Sequence, residues 1–309
     1  MPRIIVVGSI HTDLVITAPR LPARGETLLG GEFHTFNGGK GANQAVAAAR
    51  LGGEVWLVGR VGQDLYGDFQ RRSLGAAGVR TEFVAADPAA ASGVALITVA
   101  PGGDNTIVVA AGASGGCAPE DVDRAADALA SADALLLQLE IPLETVAHAA
   151  RLARRHGVRV ILDPAPAQPI PPSLLEAVDL ITPNETEAAV LCGADPARPG
   201  DPAELAACLR ERVRGPVLVT LGPEGVLAAT DEGVLRVPAV PVRAVDVTAA
   251  GDTFNGALAV ALAEGRDIGA AIRWASYAAA LSVTRLGAQS SIPTREEVDR
   301  FFAKAQGAV

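Results

Sequence analysis

Short apolar, largely β-branched runs alternate with helical patterns along almost the whole chain, and this rhythm restricts the fold more than any other feature. "RIIVVGSI" reads as a buried strand, and "GANQAVAAARLG" as an Ala-rich helix closed by Gly52. "EVWLVGRVG" reads as the next strand, followed by a helix from Gln63 to Ala77. Strand "ALLLQLE", helix "PLETVAHAARLARRHG" and strand "VRVILDPA" continue the pattern. "DLITPN" and "PVLVTLG" add two strands, and helices are expected over Asp252–Gly265, Asp267–Thr284 and Thr294–Gln306. Strands that are continuously apolar, with helices between them, predict a mostly parallel sheet covered on both faces: a three-layer, doubly wound α/β fold.

Two stretches break the rhythm. Residues 14–36 are rich in Pro and Gly with short β segments, and residues 92–111 look like a hairpin around "PGGD". Both leave the C-terminal ends of core strands, where open α/β sheets bind ligands. They are expected to pair as a small β lid on a single domain spanning residues 1–309. The alternative is two ordinary surface hairpins.

Composition narrows the function classes. Hydrophobic residues make up 49% of the 309 and the formal charge is −9, so a large core is available and a broad basic nucleic-acid footprint is excluded. No apolar run is long enough for a membrane span, and the N-terminus enters a strand without the apolar core of a signal peptide. Cys117, Cys192 and Cys208 form no CxxC pair. They are expected to be reduced thiols in a cytoplasmic protein.

Several segments place polar groups where such folds do chemistry. In "FNGGKGANQ" a glycine pair precedes a helix start, so backbone can approach a ligand and free amides can meet it. The residue after Lys40 is Gly41, which rules out a Walker A loop, and no GxGxxG is present. A tight strand-to-helix turn with a solvated lysine is the plainer alternative. In "GSIHTD", Asp13 follows the first strand and could accept hydroxyl hydrogen bonds from a sugar, or could close an Asx turn. His11 could face the same pocket. "QLEIP" puts Glu140 at a strand end, and "ITPNETEA" puts Asn184 and Glu187 at i and i+3. That pair suits a capping box, and the same geometry suits hydrated Mg²⁺ beside phosphate. In "DVTAAGDTFNGAL" small residues bare the amides ahead of Asp252 at a helix start. Asp252 is either a group complementing the helix dipole or a general base beside an anion cradle.

"GGKGANQAVAAARLG" and "DVTAAGDTFNGAL" resemble the two signature regions of the PfkB, or ribokinase-like, carbohydrate kinases. The resemblance runs on through "GSIHTDL", "RGETL", "GVALITV", "LLLQLEIPLE", "DPAPA", "ITPNETEA", "VTLGPEGV" and "VTRLGAQSSIP". It implies ATP-dependent phosphorylation of D-ribose at its 5-hydroxyl, with 2-deoxyribose, another sugar or a nucleoside as the alternative acceptor. By position it implies Asp252 as general base and Ala249, Ala250 and Gly251 as the anion hole for the transferred phosphoryl group. His11, Thr12, Asp13, Gly39, Lys40, Gly41, Ala42, Asn43 and Glu140 correspond to the sugar side. Asn184, Glu187, Thr220, Leu221, Gly222, Pro223, Glu224 and Gly225 correspond to the ATP and Mg²⁺ side, with Ser276 near the adenine. Asp246, Thr248, Ser282, Arg285, Gly287 and Ser291 resemble a K⁺ site, several of whose contacts would be carbonyls. The resemblance also implies a homodimer through the lid. Val247 and Ala249 stand where many members carry Thr and Gly, and His11 where bacterial members often carry Asn, which opens the preference between ribose and deoxyribose.

Overall fold

The computed structural model describes residues 1–102 and 104–306. Strands β1 (Arg3–Val7), β4 (Glu54–Gly62), β5 (Val79–Arg80), β6 (Val84–Asp87), β9 (Ala134–Leu137), β10 (Arg159–Leu162), β11 (Leu180–Ile181), β12 (Val217–Thr220), β13 (Val226–Thr230) and β14 (Gly233–Val237) form one sheet. Its order is β14-β13-β12-β11-β10-β9-β1-β4-β5, with β6 also pairing with β4. Every pairing from β12 to β5 is parallel, and β13 and β14 close the other edge as an antiparallel hairpin.

Successive residues of one central strand enter opposite cores, as the strand's twofold side-chain period requires. Ile5 and Val7 pack with α3 (Pro119–Asp123), α4 (Ala126–Ala130), α5 (Leu143–Arg155), α6 (Pro172–Leu175), α7 (Glu185–Cys192) and α8 (Pro202–Arg210). Ile4 and Val6 pack with α1 (Lys40–Arg50), α2 (Leu65–Ala76), α9 (Ala250–Ala263), α10 (Ile268–Ser282) and α11 (Arg295–Gln306). Alanine lets helices approach closely here: Ala45, Ala47 and Ala48 of α1 and Ala257, Ala259 and Ala261 of α9 are all buried. The three-layer expectation holds. The edge hairpin β13–β14 and helix α8 are elements that the sequence rhythm did not mark.

A second sheet of β3 (Phe33–Gly38), β2 (His11–Thr17), β7 (Gly93–Val99) and β8 (Asn105–Ala110), in that order, stands apart from the first. β2 pairs antiparallel with β3 and parallel with β7, and β7–β8 is the expected hairpin. Gly103, within the "PGGD" turn, lies outside the described residues. This sheet begins at His11 rather than at residue 14, so Asp13 is the third residue of β2 and not a turn residue after β1. Its backbone is committed to strand pairing with Phe36 and Ala95, which removes the Asx-turn alternative.

One expectation is overturned. Cys192 and Cys208 are paired as a disulfide, with Cα atoms 6.3 Å apart and a sequence separation of 16. Cys192 ends α7 and Cys208 lies within α8, and the packing of these helices brings the two thiols together without any CxxC spacing. Only Cys117 is a free, buried thiol, as expected.

Candidate active site

The chemistry-bearing residues gather where the parallel strands end. Glu140 follows β9, Asp163 follows β10, Thr182 and Asn184 follow β11, and Thr220 ends β12. Asp163, Thr182, Asn184 and Thr220, together with the N-termini of α1 and α9, surround a cavity of about 430 Å³. Its walls include Lys40, Asp163, Asn184, Glu187, Thr220, Gly222, Ala249, Ala250, Gly251 and Asp252.

Asp252 does not cap its own helix. The N-cap of α9 is Ala249, with no side-chain cap, and the Asp252 carboxylate turns to α1 instead. Asn43 Nδ2 donates to one oxygen at 2.9 Å and Gln44 Nε2 to the other at 3.2 Å. As the acid in the first turn of α9, Asp252 still complements the helix dipole, but its hydrogen bonds run to α1 and not to its own helix start. Burial raises the Asp252 pKa above the ordinary carboxylate range, opposed by the Lys40 ammonium and the Asn43 amide. Asn43 keeps its own Oδ1 buried without a hydrogen-bond partner in the described structure, an acceptor that a ligand hydroxyl would satisfy.

Asp13 and Glu140 complete an acceptor-rich corner. Glu140 Oε2 accepts from Ser9 Oγ at 2.5 Å and from the Lys40 amide at 3.0 Å. Burial, with the charges of Glu140 and Asp252, pushes Asp13 up to about 7. A Cβ on Gly38 would overlap both Asp13 carboxylate oxygens, so a side chain there would push this acid from its place. Gly39 has φ +90, a left-handed conformation that turns the chain from β3 into α1 and delivers the Lys40 amide to Glu140. Gly41 and Ala42 are buried beneath that turn, where the Ala42 amide donates to the Ser9 carbonyl at 2.9 Å.

His11 is 3% exposed, with Nδ1 at 4.0 Å from Glu140 Oε2 and its ring packed on the bare Cα of Gly93. Its Nε2 is buried without a partner, and burial lowers its pKa, which favours the neutral ring. Strand alternation sends Thr12 the other way. Its hydroxyl accepts from Gln70 Nε2 of α2 at 3.0 Å, so it does not join this corner.

On the opposite side, Asn184 and Glu187 form the expected capping box on α7. Asn184 Oδ1 accepts from the Glu187 amide and Glu187 Oε2 from the Asn184 amide, both at 2.8 Å. Thr220 pairs with Asn184 through an isolated bridge. A 3-10 turn over Gly222–Glu224 follows, bringing Gly222 to the cavity wall. Leu221 is buried, and Leu221, Pro223, Glu224 and Gly225 are not among the wall residues. Ser276 is not either, since its hydroxyl bonds back to the Ile272 carbonyl within α10.

The turn before α9 is strained. Ala249 adopts φ 59, a left-handed conformation uncommon for a residue with a side chain. Thr253 Oγ1 donates to its carbonyl at 2.8 Å, and Asn255 Nδ2 to that of Gly251 at 3.0 Å. Asn255 Oδ1 in turn accepts from Thr182 Oγ1 at 2.7 Å, which ties the turn to β11. The Ala250 amide donates to the Val247 carbonyl at 3.2 Å, a bond that must yield before this amide can face an anion.

Asp246 lies behind the turn. Thr248 Oγ1 and the Gly287 amide donate to its two oxygens at 2.6 and 2.8 Å. Burial acts to raise the Asp246 pKa, but these bonds outweigh it and leave the pKa below the ordinary value, so a carboxylate is stable there. Ser282 and Ser291 donate their hydroxyl protons to carbonyls one turn back. Arg285 spends its guanidinium on Glu297, so only its backbone could serve a cation. No cluster of three His, Cys, Asp or Glu side chains suited to a metal occurs among the described residues.

Asp163, Gln44, Thr182 and Asn255 are site residues that the sequence reading did not single out. Asp163 had a usable signal, an acid at the end of a buried strand, the same rule that marked Glu140.

The pattern described as the pfkB family carbohydrate kinase matches residues 1–295. The chain belongs to the PfkB family of carbohydrate kinases. Over 306 residues this PfkB chain is 43% identical to a ribokinase of Bacillus subtilis, covering 98% of this chain and 100% of the relative. It is 40% identical over 302 residues to a deoxyribokinase of Salmonella typhimurium, at 97% and 98% coverage. A solved ribokinase of Thermotoga maritima superimposes with a TM-score of 0.90 at 39% identity, covering 98% of this chain and 100% of that one. An Arabidopsis thaliana ribokinase complexed with ribose and ATP gives 0.87 at 33% identity, with 97% and 98% covered.

Proposed function

We propose that this PfkB kinase transfers the γ-phosphoryl group of ATP to the 5-hydroxyl of D-ribose, giving D-ribose 5-phosphate and ADP. The observation that carries the reading is the placement of Asp252. One buried carboxylate stands between an acceptor-rich corner and the cavity bounded by the α9 turn. Asp13, Glu140 and the vacant Asn43 Oδ1 suit a ligand that offers several hydroxyl donors. Asp252 takes the proton of the attacking hydroxyl, and the raised pKa makes it a stronger base than a solvated carboxylate. Lys40 shares the cavity and stays protonated: burial opposes its charge, but Asp252, Asp163, Glu140 and Glu187 together raise its pKa. It supplies positive charge to the phosphoryl oxygens, and amides of the α9 turn supply donors.

Glu187 has one oxygen committed to Asn184 and lines the cavity, a donor set that fits outer-shell contact with hydrated Mg²⁺. When bound there with ATP, Mg²⁺ would neutralise phosphate charge. Asp246, with the carbonyls around Gly287, would hold K⁺ behind the α9 turn. The small sheet acts as a lid over the sugar. Its exposed apolar strand β8, with Ile107, Val108 and Val109, offers a surface for a homodimer.

A 2-deoxyribose reading stands beside ribose because of His11 and the similarity to a deoxyribokinase. A coupled ADP-release assay with ribose, 2-deoxyribose, fructose and nucleosides separates these acceptors. Asp252→Asn in the same assay should lose about 10²–10⁴-fold in kcat, the scale of a lost general base. Near-normal turnover would sink the assignment of Asp252.

A further inference from the structure

Behind Asp252 runs a chain of two buried amides, neither of which lines the cavity. Gln44 Nε2, on α1, donates to Asp163 Oδ2 at 2.8 Å and to Asp252 Oδ1 at 3.2 Å. Gln44 Oε1 accepts from Gln138 Nε2, just past β9, at 2.6 Å. Gln44 and Gln138 are wholly buried, and both carboxylates are 5% exposed.

The polarity of this chain follows from its ends. With Asp252 ionised its oxygens only accept, so Gln44 turns its NH₂ toward the acids and its carbonyl toward Gln138. Gln138 must then donate, which fixes its own flip. Its Oε1 lies against Gly8, where any Cβ would overlap it. A leucine would satisfy the packing at position 44 without burying an amide between two acids, so the amide is a costly choice if only packing is at stake. Asn43 holds the other Asp252 oxygen, and the two amides together leave the carboxylate one orientation.

We propose that Gln44, braced by Gln138, is a positioning residue for the reaction. It holds the Asp252 carboxylate ionised and oriented toward the acceptor hydroxyl, and links it to Asp163 at the adjoining strand end. This rests on Asp252 being the base. The charged groups acting on Asp252 from neighbouring elements are Lys40, Glu140, Asp163, Glu187 and Asp13. Of these only Asp163 is bonded to Gln44, so Gln44→Leu frees Asp163 as well as Asp252, and both effects move the acid limb upward.

The test compares Gln44→Leu, Gln138→Leu and the double variant in the full-length enzyme. kcat and KM for sugar and ATP are measured across pH, with thermal unfolding alongside. Removing a donor from an ionised carboxylate makes it easier to protonate, so the acid limb of kcat should move up by about one pH unit in Gln44→Leu. kcat should fall by roughly 10–100-fold while KM for ATP stays within about twofold. Gln138→Leu should shift the limb less, and the double variant should turn over no more slowly than Gln44→Leu, because Gln138 acts only through Gln44. An unmoved acid limb, even with lowered activity and melting temperature, overturns the positioning role, as does multiplicative loss in the double variant. Gln44→Met keeps the side-chain length without its polar atoms, and takes the place of the leucine variant should that one fail to fold. An inactive Asp252→Asn beside an unmoved limb in Gln44→Leu refutes this inference alone, whereas an active Asp252→Asn removes the base assignment on which it stands.

Discussion

The acid cluster makes a claim about stability that can be checked without substrate. Asp163 is 5% exposed, and burial pushes its pKa up to about 8, with Lys40 opposing and Asp252 and Glu187 adding to the rise. In the unfolded chain the same carboxyl titrates near 4. A carboxyl whose pKa is raised on folding binds its proton more tightly in the native state. Folding is then penalised as pH rises from the unfolded value, and the penalty is complete above the folded value. A rise of roughly four units at about 1.4 kcal/mol each sets a ceiling near 5–6 kcal/mol above pH 8. Relaxation around a buried charge reduces such penalties, so about 2–4 kcal/mol is expected in practice. Asp163→Asn removes the charge and keeps an oxygen that can accept from Gln44. The variant should be more stable than the parent at pH 8 by that amount, which is about 4–8 °C in melting temperature for a chain of this size. The gain should shrink steadily on acidification and vanish near pH 4. Asp13, pushed up to about 7, contributes to the pH dependence of both proteins and cancels in the difference. Melting scans of ligand-free parent and variant at intervals from pH 4.5 to 8.5 measure it. A variant less stable than the parent at pH 8, or a difference that is flat with pH, refutes the account.

Two further predictions concern the periphery of the site. If Asp246 and the Gly287 segment hold a monovalent ion that shapes the α9 turn, turnover in K⁺ should exceed that in Na⁺ at equal ionic strength, and equal rates would count against the cation site. If β8 is a dimer surface, Val108→Lys, at a position 67% exposed in the single chain, should give a monomeric mass by light scattering while the parent is a dimer. A monomeric parent at working concentration excludes the lid dimer outright.

What the sequence disclosed and what it withheld have separate physical causes. Layering was legible because burial on both faces writes itself as continuous apolar runs such as residues 4–7 and Ala134–Leu137. Glu140 was legible because a polar group after such a run has few places to go, whereas Asp13 was picked out by the same rule although it lies inside β2. The lid strand was misplaced by a few residues because its pairing partners are remote. Nothing local to His11 announces that it lies opposite Gly93. The Cys192–Cys208 pair was missed for the same reason, since the contact belongs to the packing of α7 on α8 and not to any spacing. Gln44 shows the limit most clearly. In sequence it is one polar residue on an Ala-rich helix, indistinguishable from a solvated position. In the structure its two acid partners come from positions 163 and 252, and its donor from position 138. A buried amide draws its meaning from the groups at both ends, and here those groups meet only because the parallel strands all end on one side of the sheet. Single-sequence reading therefore recovers first the groups that face a ligand, which are marked by their place at element ends. The groups that hold them come into view only with the tertiary structure.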